Sequence, residues 1–302
     1  MINRITHILT YKLHRIGFYY YYVKYYHQDN KNEHFHLIKG LISGLKLFQR
    51  KSGYLEYLEI PITTKCSLRC KYCSNLIPCY KKPKDYDINI LTKSINTFLK
   101  CINKIVYVRV LGGEPFLSKN LNKVLRTLLK SNKIQRIEIV TNGTIIPKEQ
   151  EVIKKLKDKR VIVCISQYPI VNYQKLVTFL KTNNINYRID KMTYWMNYGD
   201  IKKRNKTKKE LQKQFAKCNH VCKSLINGQF HLCPRSSHGT DLKIIQNNKK
   251  DYVDLLDTTL TLEDKKEKLQ LLLKKKYIEA CNYCDYGTKK SKKIPVAEQI
   301  KK

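Results

Sequence analysis

From Tyr57 onward, short β-branched or alternating runs are separated by longer segments in which apolar residues recur every three or four positions. Tyr57–Thr63, Ile105–Leu111, Arg136–Thr141, Val161–Ser166 and Asn186–Asp190 predict strands, with polar or turn residues at or just past their ends. The segments at about Ile88–Ile102, Lys119–Ser131, Lys148–Lys157 and Val171–Thr182 predict helices, and Asn183 falls at the C-cap of the last. Such alternation predicts βαβ units and a parallel sheet, whose ligands bind at the carboxyl ends of the strands. Five strands are visible, and a sixth is not obvious.

After about Gly199 the rhythm stops. A basic helix at about Lys202–Ala216 leads into a cysteine-rich stretch, where Asn227–Gly228 between apolar runs predicts a hairpin. Another helix, at about Leu262–Lys276, precedes Cys281-Asn-Tyr-Cys284, and the lysine-rich tail from Lys289 is expected to be loose. Residues 1–50 are rich in Tyr and His, with helical spacing of Ile8, Leu13 and Ile16, and later of Leu37, Ile38, Leu41, Ile42 and Leu45. His7, His14, His27, His34 and His36 form no ligand spacing and read as helix-surface residues. The organisation expected is 1–54, an N-terminal Tyr/His-rich helical segment; 55–200, the α/β body; and 201–302, a cysteine-bearing region with a basic tail.

Of the 302 residues, 42% are hydrophobic, which excludes a mostly disordered chain. The uncharged run Ile16–Val23 is too short to span a bilayer and lacks a small-residue cleavage site, so neither a secretory signal nor a transmembrane segment is expected. The 11 cysteines are odd in number, which argues against a disulfide framework and for a reducing, cytoplasmic setting. The formal charge is +36, but the lysines are spread along the chain, and abundant Lys, Asn, Ile and Tyr fit AT-rich coding. No nucleic-acid partner is expected; phosphorylated substrates or acidic proteins would suit the positive field.

Two motifs sit at predicted strand ends. Cys66-x3-Cys70-x2-Cys73 follows the first strand, and three thiolates in one loop can hold three irons of a 4Fe–4S cluster while leaving the fourth open. Structural zinc is the alternative, with Cys79 within reach as a fourth ligand, although Cys73 and Cys79 make no second knuckle. Gly112-Gly113-Glu114-Pro115 ends the second strand, where paired glycines let the backbone approach a ligand and Glu114 adds a carboxylate.

Together these motifs resemble the radical S-adenosylmethionine (AdoMet) enzymes over about residues 55–200. The resemblance implies a partial (β/α)6 TIM-like barrel, a 4Fe–4S cluster on Cys66, Cys70 and Cys73, and AdoMet chelated by the open iron. It implies that the backbone of Tyr72 meets the adenine, and that Gly112, Gly113 and Glu114 match the motif that hydrogen-bonds the methionine amine. Ser166 resembles the polar ribose-binding residue, with a helix N-cap as the alternative. Thr141 and Asn142 resemble a familiar third-strand end, and Asn142–Gly143 equally reads as a turn. The implied chemistry is one-electron reduction of AdoMet to a 5′-deoxyadenosyl radical, which abstracts a substrate hydrogen.

Cys218, Cys222, Cys233, Cys281 and Cys284 resemble the twitch form of the SPASM extension, in which four cysteines hold an auxiliary 4Fe–4S cluster. Family spacing favours Cys218 over Cys222; both stay open, as does a structural zinc site. Cys79, Cys101 and Cys164 are left as small core residues. The resemblance implies oxidation or epimerisation of a sugar-like or cyclitol-type substrate, in the manner of surface-glycan biosynthesis, with flavodoxin or ferredoxin as electron donor. A peptide-modifying enzyme is the alternative, and a tRNA-modifying enzyme a further one. Asp190 and the surplus cysteine, Cys218 or Cys222, are the candidate catalytic residues, the latter as a hydrogen donor.

Overall fold

The computed structural model describes residues 53–218 and 222–300. The helical reading of residues 1–50 and their five histidines lies outside the described residues. Contacts divide the chain into two compact units, Met1–Glu56 and Tyr57–Lys302. Among the described residues no helix is long and apolar enough to cross a membrane.

Five strands run in parallel: β1 (Tyr54–Thr63), β2 (Lys104–Gly112), β3 (Ile134–Thr141), β4 (Val161–Gln167) and β5 (Tyr187–Lys191). A helix joins each to the next: α1 (Ile88–Cys101), α2 (Leu121–Leu129), α3 (Gln150–Leu156) and α4 (Gln174–Thr182). The helices are amphipathic, and Leu91, Ile95 and Phe98 of α1 and Val124, Leu125 and Leu128 of α2 are buried. Asp87 starts α1 by accepting from the Asn89 and Ile90 N–H groups, which have no partner inside the helix. The architecture is the partial α/β barrel that the alternation predicts.

The sixth parallel strand was hidden because it does not follow β5. It is β7 (Ser224–Ile226), a three-residue strand on the far edge of β1, with Glu59 opposite Ser224. It turns through Asn227 and Gly228, both at positive φ, into β8 (Gln229–His231), which pairs antiparallel with it. β9 (Tyr252–Asp254) closes the sheet, whose order is β5-β4-β3-β2-β1-β7-β8-β9. β6 (Trp195–Met196) instead pairs with β10 (Lys293–Ile294).

Beyond β6 lie three helices: α5 (Lys208–Ala216), α6 (Pro234–Asp241) and α7 (Leu262–Leu273). The start of α5 is six residues later than its basic composition predicts. Thr207 and Glu210 form a capping box there, while Arg204 is held by Asp285 at 2.9 Å.

The tail is not loose, contrary to expectation. Val296 and Ala297 are buried, and Glu298–Ile300 pairs antiparallel with the cysteine loop around Cys70. Hydrogen bonds run from Lys71 N to Glu298 O at 2.7 Å and from Ile300 N to Arg69 O at 2.9 Å. Its lysine content gave no sign of this, because the bonds are made by backbone.

Candidate active site

The inward face of β1–β5 carries a polar ladder, the reverse of an apolar core. Glu138 of β3 is fully buried and receives Arg109 of β2 at 2.7 Å, Arg136 at 2.8 Å and Arg188 of β5 at 3.4 Å. Burial alone would lift its carboxyl, but the three guanidinium groups overcome that and hold it at about 2. Arg109 also lies over the rings of Tyr57 and Tyr107, and Arg188 pairs with Asp190 at 2.5 Å. Above this ladder, at the carboxyl ends of the strands, opens a cavity of about 440 Å³.

The end of β2 is stitched to the cysteine loop. Gly113 N donates to Thr63 O at 2.9 Å and Glu114 N to Lys65 O at 2.7 Å. A Cβ on Gly113 would meet Lys65 O at 2.0 Å, and one on Gly112, at φ +146, would meet Thr63 O at 2.2 Å. The glycines therefore serve the close packing of two backbone segments.

Glu114 is fully buried and absent from the cavity wall. Its carboxylate accepts from Thr141 Oγ1 at 2.9 Å, Asn142 N at 2.9 Å and Phe116 N at 3.2 Å. Burial pushes it up to about 7 against those bonds. It organises the third-strand end, and it is the Gly112 and Gly113 backbone that faces the cavity. Asn142 passes the order on, since its Nδ2 donates to Ser67 Oγ at 3.0 Å and to Cys66 Sγ at 3.7 Å. Gly143, at φ +82, completes the turn.

Cys66, Cys70, Cys73 and Tyr72 line the cavity, as do Thr141, Asn142 and Ser166. Ser166 ends β4, and its carbonyl accepts from Tyr168 N at 2.9 Å. The Tyr168 side chain, not anticipated from the sequence, lies close enough to feel all three thiols. Its ring meets Trp195 edge-on at 5.6 Å, which begins an aromatic wall continued by Tyr198. Burial pushes the Cys66 thiol up to about 11 and Cys73 to about 12, so metal binding at this loop displaces protons.

The C-terminal cysteines divide four to one. Cys218, Cys281 and Cys284 all act electrostatically on Cys233, which is the N-cap of α6. Cations surround this set: Lys206 Nζ donates to Cys284 O at 2.6 Å, and Arg235 acts on the Cys233 and Cys284 thiols. Cys222 is elsewhere. It lines the cavity, and its charged neighbours are Glu59 and Arg109, with Tyr57 in hydrogen-bonding contact. Cys222 thus interacts with cavity residues, whereas Cys218, Cys281 and Cys284 interact with Cys233, and Tyr198 lies near both sets. Glu59, a carboxyl inside an apolar strand, was the overlooked signal here; Tyr57 Oη donates to it.

Of the remaining candidates, Asp190 does line the cavity, but both its oxygens are occupied by Arg188. Cys101 and Cys164 are buried, as small core residues should be, whereas Cys79 is exposed.

Comparison with known proteins agrees with this geometry. Residues 60–167 match the Radical SAM superfamily, and this part of the chain is a radical SAM domain. The GTP 3′,8-cyclase of Clostridium acetobutylicum is 30% identical over 130 residues, covering 41% of this chain and 39% of that protein. The GTP 3′,8-cyclase of Alkaliphilus metalliredigens is 33% identical over 132 residues, covering 43% and 39%. The chain spans about two fifths of the length of these curated relatives. Among solved structures, BtrN in complex with AdoMet and 2-DOIA aligns at TM-score 0.47 and 13% identity, over 78% of this chain and 94% of that one.

The superfamily implies a 4Fe–4S cluster and AdoMet. The donor set fits that cluster. Three thiols share one loop at the cavity, and side-chain amides donate to two of them. Among the described residues no three His, Cys, Asp or Glu are gathered closely enough for a single metal ion.

Proposed function

We propose that this chain is a radical AdoMet enzyme that inverts a C–H centre of a small sugar-like or cyclitol-type substrate, with Cys222 returning the hydrogen. Cys66, Cys70 and Cys73 would hold the cluster, with Tyr72, Gly112, Gly113, Thr141, Asn142 and Ser166 around AdoMet. Cluster and AdoMet together supply the radical that removes a substrate hydrogen. The chain's own residues exclude water, orient the substrate and supply the replacement hydrogen.

The observation that carries the reading is the place of Cys222, at the cavity beside Glu59 and Tyr57 and apart from the other four C-terminal cysteines. Its S–H bond breaks as the new C–H bond forms on the opposite face of the substrate. The sulfur radical left behind takes one electron, from a flavodoxin- or ferredoxin-type donor, and one proton to become a thiol again. Burial keeps Cys222 protonated, as a hydrogen donor must be. Cys218, Cys233, Cys281 and Cys284 are then free to hold an auxiliary cluster in region 201–302. The cavity falls within the ~300–1,000 Å³ range of small-molecule sites, and its aromatic wall with Glu59 and Asp190 suits a hydroxylated ring.

The test is a screen of nucleotide-linked sugars, free cyclitols and GTP in D2O, with AdoMet and dithionite. GTP is included because the curated relatives are named GTP 3′,8-cyclase. Inversion predicts deuterium at one product carbon and its loss, with 5′-deoxyadenosine still formed, in Cys222→Ala. Net loss of a C–H with no deuterium gain would instead assign oxidation.

A further inference from the structure

The side chain that makes the shortest amide contact with a candidate cluster thiol comes from the far end of the chain. Gln299 Nε2 lies 3.3 Å from Cys70 Sγ. We propose that Ala297–Ile300 is a built part of the cluster site, and that Gln299 is a positioning residue which fixes Cys70 and raises the reduction potential of the cluster. This rests on the reading of Cys66, Cys70 and Cys73 as the cluster ligands.

The orientation of the Gln299 amide follows from its surroundings. Arg69 N is a donor and lies 2.7 Å from Oε1, so that atom must be the oxygen. The NH2 group is therefore turned toward Cys70 Sγ and also donates to Ala297 O at 2.6 Å. Backbone bonds from Lys71 and Ile300 hold the strap on both sides of Gln299, and Lys71 Nζ reaches Glu298 at 3.3 Å. Ala297 is fully buried at φ +54, a left-handed conformation that a non-glycine residue keeps only where its surroundings impose it. Cys70 is correspondingly the buried member of the three.

A hydrogen bond to a ligand sulfur stabilises negative charge there. The reduced cluster carries one more electron than the oxidised one, so it gains more from the bond, and the potential rises. An N–H donated by the strap thus eases the entry of an electron into the cluster. Lys71, Cys70 and Arg69 gave no hint of a partner 229 residues away.

The test uses the full chain, anaerobically reconstituted, with the potential read by EPR-monitored titration. Gln299→Glu keeps the acceptor for Arg69 N but replaces the donor with negative charge; Gln299→Leu removes both. Both variants are expected to shift the potential of the loop cluster to more negative values, Gln299→Glu the further, with wild-type iron content. An unchanged potential in both overturns the proposal. If a variant takes up no cluster, iodoacetamide alkylation of the metal-free protein decides. Faster labelling of Cys70 by several-fold, with Cys66 and Cys73 unchanged, supports the strap; an unchanged Cys70 rate overturns it. Failure of the underlying reading looks different, because a Cys66/Cys70/Cys73→Ala protein would then bind as much iron as wild type.

Discussion

Arg109 of β2 and Glu138 of β3 are register partners on neighbouring strands, with Nε and Oε2 2.7 Å apart. Glu138 is also the shared partner of Arg136 and Arg188, so one carboxylate compensates three cations. Gln at this position would remove the carboxylate these guanidinium groups share, although Arg188 would keep Asp190. Glu138→Gln is expected to destabilise the fold by about 3–5 kcal/mol, as broken buried ion pairs do, measured by urea denaturation at pH 7.

The same residue predicts an acid limb. Its folded pKa, about 2, lies below the ordinary carboxylate value of 4.5, so its contribution is complete above 4.5 and fades as the pH falls toward 2. Roughly 3 kcal/mol of stability should disappear over that window. The stability gap between wild type and Glu138→Gln should shrink correspondingly, and a gap constant with pH would refute the assignment.

Glu114 has the opposite sign. Burial raises it from 4.5 to about 7, so the folded chain binds a proton more tightly than the unfolded one. Stability is therefore expected to fall as the pH rises from 4.5 to 7 in the metal-free protein, and Glu114→Gln should flatten that slope. Thermal melts at half-unit pH steps would show it.

Gly113→Ala places a methyl group 2.0 Å from Lys65 O and 2.9 Å from Cys66 Cβ. The cysteine loop must move to accept it. A cost of about 1–3 kcal/mol is expected from overpacking. Iron should be lost from the loop in preference to the C-terminal set.

Iron counting separates the two sets. Wild type should hold about eight irons after reconstitution, and Cys66/Cys70/Cys73→Ala about four. Cys222→Ala should keep the wild-type content, whereas Cys218→Ala should lose the C-terminal share. Zinc in the triple variant would reduce that set to a structural site.

Much of the barrel was legible because its strands and helices obey local periodicity. The predicted and observed ranges of β2 to β4 differ by at most two residues at either end. The cysteine loop, the glycine pair and Asn142 were legible because each occupies a strand end. What the sequence withheld was long-range. β7 is three residues long and pairs with a strand far earlier in the chain, so no periodicity announces it. Spacing favoured Cys218 over Cys222 as a ligand but said nothing of where Cys222 lies; Lys223, whose carbonyl accepts from Glu59 N at 2.7 Å, ties that segment to β1 beside the cavity. Gly113 also packs against Lys65 O, a contact between segments far apart in the chain that the sequence does not show.

The strap also orders events in time. Gln299 emerges from the ribosome 229 residues after Cys70, so throughout synthesis the cysteine loop lacks the segment that later shields it. A carrier delivering iron and sulfide would meet an open loop on the growing chain and a covered one on the finished chain. The segment that covers Cys70 is thus the last part of the site to be made.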